Sequence, residues 1–528
     1  MQFTDDPAVA TLEAHYATYL EAWGAWTVGH HAGIPATRDA ALGSALIRAR
    51  SVLGSSIAEG RWLDLDAADA AAVGNLRACL PELDAWAAPL DGRTFPDAPG
   101  PAEPGPEPDD LAALRRATFD AWGAAMASLR VGNENLDRLT VMGRQAREPD
   151  PAQRRRLFLA MEPAWRTLNA DDGVDSPYRR LLRASAERWA RDGSPIDANA
   201  SALGLAPSDV EPTMRALLAT FRAVALRGDL VEPWDYRFVV GELARRLDDR
   251  IPLDRLRPIN DAHLRSIGAD PTVLRVHYDI VPRAGRPVIP TAFTVTADIA
   301  RRLDGGTWRP ATPWVFATYA QGGIGNLEEL LHESGHALHY AAIRARPAHF
   351  AWPPEQTAFV EAVADVVGWT THEPAFLEAH LGVVVPVRES VAARYGNVAL
   401  DAAWTLFEIE LHRHPERSPN EVWAEIAERE LGVRGHPEWA WWATRGQLID
   451  GPGYLANYAL GAVMVAAVRA RIRELRGDWA TGDPGWYAFV SDRLLRPGGA
   501  ASPRELLTAF LDGPLTAGPL LDDIARAA

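Results

Sequence analysis

His332-Glu333-Ser334-Gly335-His336 sets two imidazoles four residues apart with a carboxylate between them. On a helix of about 3.6 residues per turn, positions i and i+4 share a face. His332 and His336 can therefore offer two ring nitrogens to one metal ion, the H-E-x-x-H zinc pattern. Glu333 lies beside that pair. A carboxylate there can take a proton from an attacking water and pass it to a departing group, the part of a general base in metal-assisted hydrolysis. A catalytic zinc takes three protein ligands and keeps a fourth position open, so the chain must supply another. Phe359-Val360-Glu361-Ala362-Val363-Ala364-Asp365 carries two carboxylates four apart in an apolar segment, which puts both on one face of a second helix. Glu361 is expected as the third ligand. Asp365 is expected to accept the outer ring N–H of a ligand histidine, most naturally His332, fixing its tautomer and raising its basicity. One Zn2+ per chain follows. His339 falls near the same face as His336. It reads as a histidine beside the site, because as a fourth ligand it would fill the position the water needs.

The elements that must position these residues are mainly helical. Residues 8 to 90 have alanine-rich amphipathic spacing with Tyr16, Tyr19, Trp23, Trp26 and Trp62, an aromatic stripe that reads as core. Asp91 to Asp110 is crowded with proline, glycine and acid and reads as an exposed loop. Further helical patterns follow around Phe119–Leu129 and Met214–Leu226. Between Thr272 and Val295 the texture changes. Val273–Val281 and Pro290–Val295 are rich in β-branched and aromatic residues, and Trp314–Tyr319 is a third strand candidate, which together imply a small sheet beside the metal helix. The third strand is placed to take an extended peptide by edge addition, or to be an ordinary member of the sheet. Asn326 is expected to begin or cap the helix that carries the pentad. Residues 398–413 and 419–431 read as helices. Next, a loop rich in glycine and proline, Gly446 to Gly453, runs into a helix bearing Tyr454 and Tyr458 one turn apart. A tyrosine hydroxyl can donate to the oxyanion formed when an amide is attacked, and either ring can equally serve packing.

The chain has 528 residues, 47% of them hydrophobic, enough for two or more lobes around a large core. Its 54 basic and 70 acidic residues give a net charge of -16, which argues against nucleic acid or an anionic membrane as partner. There is no lysine, so Schiff-base chemistry and P-loop lysines are excluded. A lone Cys79 excludes an internal disulfide or a cysteine-rich metal module. The start of the chain lacks the positive and apolar runs of a signal peptide, and no apolar stretch spans a bilayer, so a cytoplasmic setting is expected. Three regions are expected: 1–110, helical and ending in the proline-rich loop; 111–270, a helical lobe; and 271–528, with the sheet and the zinc helices, all within one continuous unit.

These residues resemble the helical gluzincin peptidases, and within them the thimet oligopeptidase and oligoendopeptidase F family, whose pattern is H-E-x-G-H-x-x-H followed by a glutamate in an F-V-E-A context. His332, Glu333, Gly335, His336, His339 and Phe359-Val360-Glu361-Ala362 match it. The Glu361-to-Asp365 spacing is similar to that of angiotensin-converting enzyme and thermolysin, and the Ser-Gly of the pentad to the carboxypeptidase Taq group. The resemblance implies a mainly α, two-lobed body with a deep central channel that admits short peptides. It also implies zinc-dependent hydrolysis of peptide bonds, with the attacking water activated by Glu333 and the oxyanion held by Tyr458, preferred, or Tyr454. Gln447 stands where the family has a histidine, and glutamine donates a hydrogen bond but is never cationic. Gln447 and His339 are carried as further oxyanion or substrate contacts. A short peptide is the expected partner. The alternatives are a zinc amidohydrolase or tailoring enzyme acting on a small molecule, and a degenerate peptide-binding protein.

Overall fold

The computed structural model describes residues 7–59, 109–228, 230–283, 288–289, 291–303, 306–345, 352–354 and 356–527. Trp62, Cys79 and nearly all of the proline-rich stretch 91–110 lie outside the described residues. The architecture is mainly α with small sheets. The elements that build and brace the site are α1 (Pro7–His31), α2 (Ala36–Glu59), β1 (His277–Asp279), β2 (Phe293–Thr296), β3 (Pro313–Phe316), α3 (Ile324–Ala342), α4 (Thr357–Gly368), α5 (Val387–Arg413), α6 (Ala456–Arg476) and α7 (Gly518–Ala525). One buried apolar cluster extends from Trp122 to Ile524 and includes both helices of the metal pattern. No described helix is long and apolar enough to cross a membrane.

The three strands are shorter than their apolar runs, and β3 lies in the middle of the sheet. β1 runs parallel to it and β2 antiparallel, with Thr294 opposite Val315 and Phe293 opposite Phe316. Both edges of β3 are therefore paired, which corrects the expectation that it could take a peptide by edge addition. Alternation along β2 sends Thr294 toward α3, while Phe293 stacks on Phe316 at 5.4 Å and meets His31 of α1 at 4.7 Å.

The start of α3 is set by tertiary contacts. Asn326 lies inside the first turn and donates to the carbonyl of Gln321 at 2.8 Å, so it is not the cap. The carboxylate of Asp248 accepts the N–H of Ile324 at 3.1 Å instead, and the N–H of Gly323 donates to the carbonyl of Ile251 at 2.8 Å. Gly323 has φ +103°, and a Cβ there would lie 2.9 Å from the Asp248 carboxylate, so only glycine lets the chain turn this closely against its cap. α4 begins on Gln356, whose side chain accepts the N–H of Phe359 at 2.6 Å. The helix read at 398–413 starts a full three turns earlier, at Val387, and the one read at 419–431 is α-helical to Ile426 and then widens into a π-turn.

Candidate metal centre

α3 turns its apolar side, with Leu327, Leu330, Leu331 and Leu338, into the core, and His332 and His336 toward α4. The two helices touch at Gly335, where a Cβ would lie 2.5 Å from the carbonyl oxygen of Ala364 and 2.7 Å from its Cα. That approach brings Glu361 of α4 against both histidines. His332 Nε2 is 3.1 Å from His336 Nε2 and 3.3 Å from one oxygen of Glu361, whose other oxygen is 3.8 Å from His336 Nε2. Ligand atoms at roughly 2.0–2.1 Å from a tetrahedral zinc are roughly 3.3–3.4 Å apart; one ligand atom from each of the three residues lies within 4.8 Å of the others, so a small closure of the Glu361 side chain would set them around one such ion. The residues present suit the metal in chemistry as well, being two imidazoles and one carboxylate.

Asp365 lies one turn beyond Glu361, and its Oδ1 is 2.6 Å from Nδ1 of His332. A proton on Nδ1 directed at the carboxylate leaves the Nε2 lone pair facing the cluster, the tautomer a ligand needs. Burial disfavours protonation of His332, but Asp365 outweighs it and raises the pKa well above the usual value, with Glu361 assisting. At His336, burial and then the neighbouring His332 push the pKa down to about 3. Burial alone would raise Glu361, yet the hydrogen bond from His332 and the two imidazoles hold its pKa below the ordinary value. One imidazole drawn toward the cation and the other toward neutrality, around an anionic Glu361, is the distribution that a single bound cation would replace.

Glu333 is buried, and burial raises its pKa. The hydroxyl of Thr294 is 2.7 Å from Glu333 Oε2 and 2.9 Å from the Glu333 carbonyl oxygen, and shares its single proton between them. Thr294 escapes sequence reasoning because it stands 39 residues upstream on another element. Its only signal is its place on the inward face of a short strand. Ser334, a variable letter of the pentad, donates to the Asn260 side-chain oxygen at 2.9 Å and lies 2.9 Å from the Tyr278 hydroxyl, tying α3 to the sheet.

His339 is buried, meets Phe359 edge-on, and has both ring nitrogens unpartnered among the described residues. Burial pushes its pKa down to about 3. It is a buried histidine outside the His–His–Glu cluster. Tyr454 and Tyr458 meet edge-on at 5.8 Å, and the Arg445 guanidinium lies 5.4 Å over the Tyr458 ring. Burial and then Tyr454 raise the Tyr458 pKa. Neither hydroxyl has a described hydrogen bond to the His–His–Glu cluster. α6 packs parallel to α4: Gly461 faces Ala358 and Ala362, and further along Arg469 donates to the carbonyl of Val366. Tyr458 thus stands one turn before Gly461, level with the start of the Glu361 helix. Gln447 opens the short helix Gln447–Asp450 just upstream, half-buried.

No family model matches this sequence, and no curated protein matches it. Solved structures do match over the whole chain. An M32 carboxypeptidase from Deinococcus radiodurans R1 superposes with a TM-score of 0.57 at 16% identity, covering 98% of each chain. A carboxypeptidase from Pyrococcus furiosus gives a TM-score of 0.58 at 16% identity, covering 99% of each chain. PZ peptidase A, solved with an inhibitor, gives 0.54 at 12% identity, covering 100% of this chain and 97% of that one. The chain has the fold these peptidases share.

Proposed function

We propose that this chain is a zinc-dependent peptidase acting on short peptides. The observation that carries the reading is the meeting of His332, His336 and Glu361 at edges of 3.1, 3.3 and 3.8 Å, with the Glu333 carboxylate held beside them by Thr294. The likeness in fold to carboxypeptidases and to PZ peptidase A supports it. His332, His336 and Glu361 would hold the ion, which when bound polarises the scissile carbonyl and acidifies a water. Asp365 keeps the His332 proton on Nδ1, so that Nε2 remains a ligand.

The remaining chemistry belongs to side chains. Glu333 takes a proton from the attacking water as the C–O bond forms, then delivers it to the leaving nitrogen as the C–N bond breaks. The raised pKa that burial gives Glu333 suits a group that must both accept and return a proton. Tyr458, or Tyr454, donates to the oxyanion, with Gln447 as a neutral donor nearby. With no lysine in the chain, a free substrate C-terminus would need arginine, tyrosine, glutamine or backbone N–H to hold it, which favours internal cleavage of oligopeptides over removal of C-terminal residues.

The test is Glu333→Gln, assayed on a mixed peptide library with free and amidated C-termini. Wild-type chain should cleave both kinds, with chelator abolishing turnover, and the variant should keep its zinc and lose at least 100-fold in rate. Cleavage confined to free C-termini would replace the oligopeptidase with a carboxypeptidase. Zinc without cleavage of any peptide would favour a tailoring enzyme, and a fully active variant would end the mechanism.

A further inference from the structure

We propose that a small carboxylate with an apolar body, aliphatic or aromatic, binds a second site behind the metal helices, in an open cavity of about 340 Å³ walled on one side by α7. Tyr395 of α5, Ala466, Ala470 and Arg473 of α6, and Pro519 and Arg526 at the end of the chain line it. The methyl and ring surfaces supply an apolar wall, and the guanidiniums supply planar donors of the kind that match a carboxylate.

Among the described residues, Arg394, Arg469, Arg473 and Arg526 face Glu373, Asp522 and Asp523 around this cavity, four cations against three anions. A single oxygen of Glu373 accepts from Arg469 at 2.8 Å and from Arg473 at 2.5 Å, and Arg394 lies 3.0 Å from the same oxygen as an ion pair. Asp523 is taken by Arg394 at 2.8 Å, by the Tyr395 hydroxyl at 2.5 Å and by Arg526. The second nitrogen of Arg473 is 4.0 Å from Asp523, too far for a hydrogen bond. Arg469 is almost fully buried, and its Nε has no partner among the described residues. Burial lowers its pKa to about 10, with the smaller repulsions of Arg473 and Arg394 set against the pull of Glu373. An added carboxylate at Arg473 and Arg526 would even the count.

Occupancy would reach the metal helix. Arg469 donates to the carbonyl of Val366 and, at 3.1 Å, to the Thr370 hydroxyl, while Arg394 reaches the carbonyl of Trp369 at 3.3 Å. Those groups end α4, the helix of Glu361 and Asp365. The site is therefore placed to steady the third ligand from behind.

Benzoate titrated into the zinc-loaded full chain by calorimetry tests this, with inorganic phosphate as the anion lacking an apolar body. Saturable one-to-one binding of benzoate is expected, at least 10-fold tighter than phosphate. It should weaken at least 10-fold in Arg526→Ala, on the exposed rim, and in Ala470→Phe, which fills the cavity without touching a charge. Two independent variants guard against a fault in folding, and neither residue belongs to the proposed catalytic machinery. Absence of saturable binding, phosphate binding as tightly as benzoate, or a benzoate site unmoved by both variants, as a site on the metal would be, would overturn the proposal.

Discussion

Gly335→Ala is the perturbation whose effect follows most directly from the geometry. The added methyl would begin 2.5 Å from the Ala364 carbonyl oxygen and 2.7 Å from its Cα. Ordinary carbon contacts need roughly 3.5 Å, and both atoms it meets are backbone, so no rotamer change relieves the clash. α3 and α4 must separate by about 1 Å. The two histidines share α3 and keep their 3.1 Å spacing, but the edges to Glu361, now 3.3 and 3.8 Å, would open well past what one zinc spans. Overpacking of this kind costs about 1–3 kcal/mol, which a domain of this size survives. A misplacement of about 1 Å at the reacting centre costs on the order of 100-fold in rate. The expected result is a folded chain whose zinc affinity and kcat/KM both fall, the latter by about 100-fold. Gly325 in the first turn of the same helix has nothing within 4 Å of an added Cβ, so Gly325→Ala is the matched control. Titration with a chromogenic zinc chelator and a fluorogenic peptide assay would read both variants. A Gly335→Ala protein that binds zinc and turns over like Gly325→Ala would refute the reasoning.

Thr294→Val removes the hydroxyl that holds Glu333 Oε2 at 2.7 Å. A hydrogen bond to a charged group contributes about 1.5–3 kcal/mol, so kcat should fall about 10- to 100-fold with zinc content unchanged; unaltered kcat would remove Thr294 from the mechanism. Glu408 of α5 is buried, accepts the Gly453 N–H at 2.7 Å with one oxygen, and has no hydrogen-bond partner among the described residues at the other. Burial pushes its pKa from 4.5 up to about 8. The folded chain then keeps a proton that the unfolded chain releases, so stability falls as pH rises from about 4.5 to about 8, by up to about 1.4 kcal/mol per unit. Glu408→Gln should flatten that slope and raise Tm at pH 8 more than at pH 5, and equal shifts at both would contradict the assignment.

The proposed ligand set is readable from sequence because it rests on helical periodicity: His332 with His336, and Glu361 with Asp365, each need only i, i+4 spacing to share a face. What periodicity does not carry is the meeting of elements. Gly335 is visible as a small residue in the pentad, but its reason, the Ala364 backbone, lies on another helix. Thr294 and the capping Asp248 act across 39 and 76 residues and have no pattern that links them to α3. The order of the strands, with β3 central, follows from how the sheet packs under α1 and α3 and not from the apolar runs. His339 has the spacing of a site residue, yet the α3 face it occupies turns into the core beside Phe359.

Zinc K-edge X-ray absorption on the zinc-loaded chain, alongside Glu361→Ala and His336→Ala, addresses the central claim. The account predicts one zinc per chain in wild type, with two nitrogen neighbours from imidazole and oxygen neighbours at roughly 2.0–2.2 Å, and loss or depletion of the metal in both variants. Zinc retained with an unchanged spectrum after either substitution would place the ion elsewhere and contradict it.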